Sequence, residues 1–223
     1  MKQKSGIVCD LGIRVLEDNE IVSEKIVRAH SFTNNFAYML ARSMDMVGNT
    51  SYRNTANAAI PACVSPQCIN APYAPYGPQW IAECPAGMNT IGAIGETARG
   101  IVIGTSATAF SVSQYNMQGL IAHGTGSGQM SYGSMLTPAD PTFATPNITI
   151  NISRNISNNS GASIIVREIG LKGYPAYVQA SCAYSETYSV ACAEILYLRD
   201  VITDTSVGVG QVLNATYILK TVV

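Results

Sequence analysis

The sequence predicts a mainly β protein: an antiparallel β-sandwich or jelly-roll-like body, with an N-terminal hairpin, one amphipathic helix and a long irregular arm. Three observations lead there. Apolar and polar residues alternate through Ile148, Ile150 and Ile152 and then Arg154-Asn155-Ile156, with Thr149, Asn151 and Ser153 opposite, the period-2 signature of a half-buried strand. Turn signals rich in Gly and Asn punctuate the second half at Gly104, Gly124–Gly128, Asn158–Gly161 and Gly208–Gly210. Helical spacing, by contrast, is confined to one stretch after residue 31. No fixed-period repeat or heptad pattern is present, which excludes solenoid and coiled-coil readings.

Residues 1–47 read as one unit. Ile7, Val8, Leu11, Ile13, Val15 and Leu16 form a β run, Glu17–Glu20 is a polar turn, and Ile21 to Ala29 returns as the second arm of a hairpin. Ser31 is placed to cap a helix in which Phe32, Phe36, Met39, Leu40 and Met44 recur every three or four residues to about Val47. A helix of that length needs its apolar stripe buried, on the hairpin or on another subunit.

Residues 48–99 differ. Six prolines (Pro61, Pro66, Pro72, Pro75, Pro78, Pro85) sit among Asn, Ala, Tyr and Gly without periodicity. Loops this long usually serve a function, and Tyr73, Tyr76 and Trp80 gain most when buried. An extended arm lying on a neighbouring surface satisfies both facts. From Gly100 to Val223 the pattern is β throughout: Ile101–Ile103 closed by Gly104, a strand after the glycines at 124–128, the alternating run at 148–156, its return from Ala162 to Leu171, then Val190–Ile202 and Gln211–Val223.

The 223 residues suffice for a substantial core. Hydrophobic residues make up 47% but charged ones only 12%, about half the share of an average soluble domain. With 13 basic and 14 acidic side chains the net charge is −1, which excludes the basic footprint of a nucleic-acid binder. Between Asn54 and Ser153 the charges are Glu83, Glu96, Arg99 and Asp140 alone, so this stretch reads as contact surface. No run of about 20 apolar residues exists to span a membrane. Asp10, Arg14 and Glu17 interrupt the N-terminal region where a secretory leader would need an apolar core, so synthesis in the cytoplasm without an export signal is expected.

Little in the chain promises catalysis. His30 precedes the helix and His123 lies beside Gly124–Gly128 without a nearby acid, so both read as structural. The glycines match neither a P-loop nor a dinucleotide fingerprint, and a strand rather than a helix follows them. Arg167–Glu168 and Arg199–Asp200 point to cross-strand ion pairs rather than a carboxylate dyad. Asn-x-Ser/Thr triplets at Asn49, Asn147, Asn151, Asn155, Asn158 and Asn214 are what an Asn-, Ser- and Thr-rich chain produces by chance. The cysteines are Cys9, Cys63, Cys68, Cys84, Cys182 and Cys192. Without a CxxC pair or a nearby His they make a poor zinc set. Cys63, Cys68, Cys84, Cys182 and Cys192 are candidates for disulfides, with free buried thiols the alternative, and Cys182 and Cys192 flank a hairpin across which they would pair in an oxidising medium. No cofactor, metal or catalytic residue is expected.

Several segments together resemble a family of uncharacterised structural proteins of tailed bacteriophages. They are Arg28–Phe36, containing the pattern HSF-x-x-NF; Arg99–Thr105; Leu120–Gly126; Ile156–Leu171, the most telling; Tyr197–Val201; and Asn214–Ile218. The resemblance covers roughly two-thirds of the chain and skips the Pro-rich arm. It implies a virion building block on the capsid, neck or tail, with copies of itself and other virion proteins such as major capsid or tail proteins as partners, and neither nucleic acid nor membrane. Phe32, Phe36, Met39, Leu40, Tyr73, Tyr76 and Trp80 are then the candidate interface. A rival expectation is a receptor- or glycan-binding module of an extracellular appendage, with Tyr52, Tyr73, Tyr76, Trp80 and Tyr115 on a shallow face. A secreted filament subunit that donates a strand to its neighbour is a further alternative.

Overall fold

The computed structural model describes residues 6–29, 31–43, 51–53, 55–57, 59–61, 90–136, 142–144, 147–174, 176–179, 189–192 and 194–222. The hairpin forms as the sequence predicts. β1 (Gly6–Glu17) and β2 (Glu20–Ala29) are joined by Asp18 and Asn19, both at positive φ (49° and 68°). That backbone suits the twist of a two-residue hairpin, and Asp and Asn tolerate it better than most residues. Helix α1 (Asn34–Ser43) begins later than expected, because residues 31–33 are engaged elsewhere, and the expected end near Val47 lies outside the described residues. The Thr33 carbonyl, not Ser31, accepts the first helical N–H groups, those of Phe36 and Ala37. The Thr33 hydroxyl lies 2.8 Å from the Leu196 carbonyl and 3.0 Å from that of Tyr197.

The remaining strands are β3 (Ser51–Arg53), β4 (Ala59–Pro61), β5 (Gly100–Gly104), β6 (Ser131–Leu136), β7 (Thr142–Ala144), β8 (Asn147–Ser157), β9 (Ile164–Gly173), β10 (Ala176–Gln179), β11 (Ser189–Cys192), β12 (Ile195–Val207) and β13 (Val212–Val222). They build a sandwich-like body from two antiparallel sheets. One has the order β2-β1-β13-β8-β6, with β7 also on β8; the other is β12-β9-β5. Two small hairpins, β3-β4 and β10-β11, stand apart from both. Among the described residues no helix is long and apolar enough to cross a membrane.

One connection departs from the sequence reading, and a second runs the same way. Asn158–Gly161 does not close a hairpin, since β8 lies in the large sheet and β9 in the small one. The glycines at 208–210 likewise carry the chain from β12 across to β13. Both are arches between layers, and one buried side chain ties them together. Asn158 Nδ2 donates to the carbonyls of Ala162 (2.9 Å) and Val207 (2.8 Å), while its Oδ1 accepts from the Ser160 N–H and hydroxyl. Its own N–H donates to the Gln211 carbonyl, and its carbonyl accepts from Gly210.

The core lies between the layers. Cys9, Leu11, Ile13 and Val15 from β1 and Leu213, Ala215 and Tyr217 from β13 meet Val166, Ile169, Leu171, Leu198, Ile202 and Val207. The Tyr217 hydroxyl crosses the gap, 3.0 Å from both the Ile169 carbonyl and the Asp200 carboxylate. The alternation in β8 has the expected phase but not the expected extent. Ile156 is buried, whereas Ile148 and Ile150 are each 38% exposed, and the core position between Ile152 and Ile156 holds Arg154. The core face of β8 is covered only toward its C-terminal half.

Residues 105–121 contain no strand, yet they are held firmly against the outer face of the small sheet. The expected cross-strand ion pair provides the hold. Arg199 Nε meets Glu168 Oε2 at 2.5 Å, and both side chains are fully buried. Arg199 also donates to Gln114 Oε1 and to the Thr108 carbonyl, each at 3.0 Å. Glu168 accepts the N–H groups of Gly119 (2.6 Å) and Gln118 (3.3 Å). Every charge-bearing group is thus satisfied, the condition under which a buried pair is tolerated. The second expected pair, Arg167 with Asp204, forms on the surface.

Glu168→Gln should strand the Arg199 charge and cost about 3–5 kcal/mol in chemical denaturation. Hydrogen exchange should rise first in residues 105–120. Replacing both partners (Glu168→Leu with Arg199→Met) should cost less than the single change. A loop whose exchange is unaltered in Glu168→Gln would contradict this account.

Candidate interaction surface

Residues 90–99 belong to the predicted arm, but they fold back on the body through Arg154. Its guanidinium donates to the carbonyls of Ala93 (2.8 Å), Arg99 (3.2 Å), Ile101 (3.0 Å) and Gly133 (2.8 Å) and lies 4.9 Å from the centroid of the Tyr132 ring. Burial raises the Tyr132 hydroxyl pKa well above its ordinary value. Beside it, Glu96 accepts from Arg99 at 2.7 Å. Burial works to raise the Glu96 carboxyl, but the hydrogen bonds from Arg99 and the Ala93 N–H outweigh it and hold the carboxyl below its usual range.

With these segments in place, the sheet edges can be compared. Along β12, residues 31–33 act as a short extra strand: Phe32 bridges Leu198, Thr33 N–H donates to Tyr197 O and Arg199 N–H to Ser31 O. Along β5, Ile121 N–H donates to Ile103 O and Thr105 N–H to Gly119 O. Along β6, Gly95 N–H donates to Tyr132 O and Met135 N–H to Gly92 O. Each of these edges is closed by an irregular strip. β2 is flanked on one side by β1, and among the described residues no backbone group pairs with its other side.

The outer face of the large sheet is broad and polar. Register places Asn151, Ser153 and Asn155 of β8 beside Ile218, Thr216 and Asn214 of β13, and those beside Asp10, Gly12 and Arg14 of β1. Hydroxyls and amides bond laterally: Ser153 to Thr216 at 2.8 Å and Asn214 to Asn155 at 2.7 Å. Charges appear only toward β1 and β2 on this part of the face, where Arg14 pairs with Glu24 (2.6 Å) and Asp10 receives both Arg28 (3.2 Å) and Lys220 (3.3 Å). Of the 13 basic and 14 acidic side chains, Arg154, Glu168, Lys172, Arg199 and Asp200 are inside. Lys172 reaches Glu194 and the Thr97 carbonyl. The surface is therefore poorer in charge than the composition alone indicates.

Of the candidate interface residues from the sequence, Phe32 and Phe36 are the ones whose side chains the structure describes. Phe32 and Phe36 stack at 4.4 Å and are partly buried against the chain's own core. They serve the body, because the strip at 31–33 closes β12 and brings them inward. Met39 and Leu40 continue α1, with side chains outside what is described. Tyr73, Tyr76, Trp80, Cys63, Cys68, Cys84 and Cys182 lie outside the described residues, as does His30. Cys192 ends β11 opposite Ala176. Cys9 is buried and free, and burial first, then Asp200 and Asp10, pushes its thiol up to about 12. His123 accepts the Tyr132 N–H on Nδ1 at 3.1 Å, which orients the imidazole as part of the turn. Among the described residues no group of three or more His, Cys, Asp or Glu is placed to hold a metal ion. Sequence reasoning missed the arch-tying Asn158, the buried Arg154 and the open edge of β2. The first two carry only an ordinary polar signal in the sequence. No protein-family model, characterised protein or solved structure matches the chain.

Cys9, Tyr132 and Tyr217 all bind their protons more tightly in the folded chain than their ordinary values allow. Above pH 9 the unfolded chain releases the Cys9 proton while the folded chain keeps it. Their contribution is therefore complete below pH 9 and declines as pH rises toward 12. Melting temperature should fall across this window, and Cys9→Ala should flatten the first part of the decline. A melting temperature that is constant or rising from pH 9 to 11 would refute the assignment.

Proposed function

We propose that this chain is a non-enzymatic structural protein of a tailed-phage virion, assembling in many copies on the capsid, neck or tail. The observation that supports the reading best is the pairing of a wide, weakly charged sheet face with interior burial of several of the few charges present. Such a surface offers little electrostatic steering and little charge to desolvate on contact. It suits permanent apposition to like or sister subunits, where small gains repeat over many identical contacts. Symmetric self-association is the ordinary form of such assembly. The resemblance of Ile156–Leu171 and the other segments to tailed-phage structural proteins points the same way.

Quantitative mass spectrometry of density-purified particles tests the proposal. The chain is expected at a fixed, high copy number relative to the major capsid protein. Its absence from particles, with recovery only from the soluble fraction of infected cells, would overturn it.

A further inference from the structure

The most informative surface is the free edge of β2. Sandwich proteins generally blunt such edges, because a row of unpaired N–H and C=O groups is a template for another strand. This chain closes β12, β5 and β6 with strips of its own, held by Thr33, by Arg199 with Glu168, and by Arg154. Among the described residues the edge of β2 stays open over ten residues, with Ile21 and Val22 each 52% and Ile26 64% exposed. Two features make this edge receptive. Ile26 lies opposite Gly12 on β1, which offers no side chain for the cross-strand contact that normally stabilises such a position. Lys25, an inward-pointing charge of the sort that guards edges, is tied down instead. Its ammonium donates to the Thr203 carbonyl (2.9 Å) and the Thr205 hydroxyl (2.6 Å).

We propose that the open edge of β2 pairs antiparallel with β2 of a second copy, joining two large sheets into one, with Ile26 on the two-fold axis. This rests on the reading of the chain as a self-assembling subunit and specifies the contact. Charge complementarity favours a second copy as occupant and the Ile26-centred register, which pairs opposite charges on both sides of the axis. A two-fold axis perpendicular to the sheet keeps each face continuous, so opposed residues share parity. Centring on Glu24 or on Lys25 sets like charges opposite each other, which destabilises a sheet pair. Centring on Ile26 sets Ile26 against Ile26 of the second copy, Glu24 against its Arg28 on both sides, and Lys25 against its Val27. In this register no like charges are opposed between residues 23 and 29. The bulge at Val22, where the register of β1 and β2 shifts between Val15 and Leu16, falls outside the seam. Seven residues give a seam of about 24 Å. A single edge seam of that length buries less area than a standard stable interface, so the contact is weak in isolation and gains strength when other contacts hold the copies together.

Sedimentation of the purified full chain from micromolar to near-millimolar concentration tests the proposal, together with hydrogen exchange at both extremes. The wild type should associate reversibly, with slowed exchange at alternate amides of residues 23–29 in the associated form. Ile26→Lys, a charge placed at an exposed position, should leave melting unchanged yet weaken association about tenfold or more. Ile94→Lys, at a side chain 77% exposed and away from β2, should associate like the wild type. Association that Ile26→Lys leaves intact would overturn the β2 seam while leaving the virion reading to its own test in purified particles. A chain that stays monomeric with fast exchange along β2 throughout would also overturn the seam, whether or not particles contain it.

Discussion

Two buried arginines keep the irregular parts of this protein on its sheets. Arg199, neutralised by Glu168, reaches Thr108 and Gln114, while Glu168 takes the N–H groups of Gln118 and Gly119. Arg154 gathers carbonyls from Ala93, Arg99, Ile101 and Gly133. A segment without strand or helix has no ladder to satisfy its backbone, and burying it unpaired would cost free energy at every peptide. Guanidinium suits the task because its planar fork offers five donors in fixed directions, enough to hold several carbonyls at once. Remove these groups, and the strips beside β5 and β6 lose the anchors that place them.

The edges follow from that constraint. The strips at 92–95 and 119–121 give β6 and β5 hydrogen-bonding partners within the same chain, and residues 31–33 do so for β12. The edge of β2 has no such cover among the described residues. Closing β12, β5 and β6 with loops of the same chain leaves β2 as a long edge available for strand pairing among the described residues. The outer face of the large sheet contributes differently. Its lateral bonds between Ser153 and Thr216 and between Asn214 and Asn155 use up polar groups that would otherwise need water, which lowers the cost of covering them with a neighbouring surface.

The interior polarity has a stability consequence as well. Cys9, Tyr217 and Asp200 converge between the layers, and the Tyr217 hydroxyl touches groups of both small-sheet strands β9 and β12. The protonation of Cys9 and Tyr217 is coupled to folding, so the body tolerates neutral conditions better than alkaline ones. The same burial keeps the Cys9 thiol from the thiolate form that reacts.

Much of the local structure was legible from residue order. Asp18–Asn19 between two apolar runs specified the hairpin, Gly104 marked the end of β5, and the alternation through Ile156 gave the correct phase of β8. The helix was legible but its start was not, because residues 31–33 were recruited by the edge of β12, a non-local event. Arg167 and Arg199 were expected to pair with acids on a facing strand, but their partners, Asp204 and Glu168, came from the structure, and nothing in the sequence marked one pair as exposed and the other as sealed under a loop. Phe32 and Phe36 show the same limit, since the sequence marked them as apolar but not that they pack in part against the chain's own core. By itself, then, the sequence determined where strands run, where they turn and which side of each is apolar, since these depend on neighbours a few residues apart. Only the tertiary structure decided that Asn158–Gly161 is an arch rather than a hairpin, which arginines go inside and which edge stays open, because those outcomes turn on what distant segments cover.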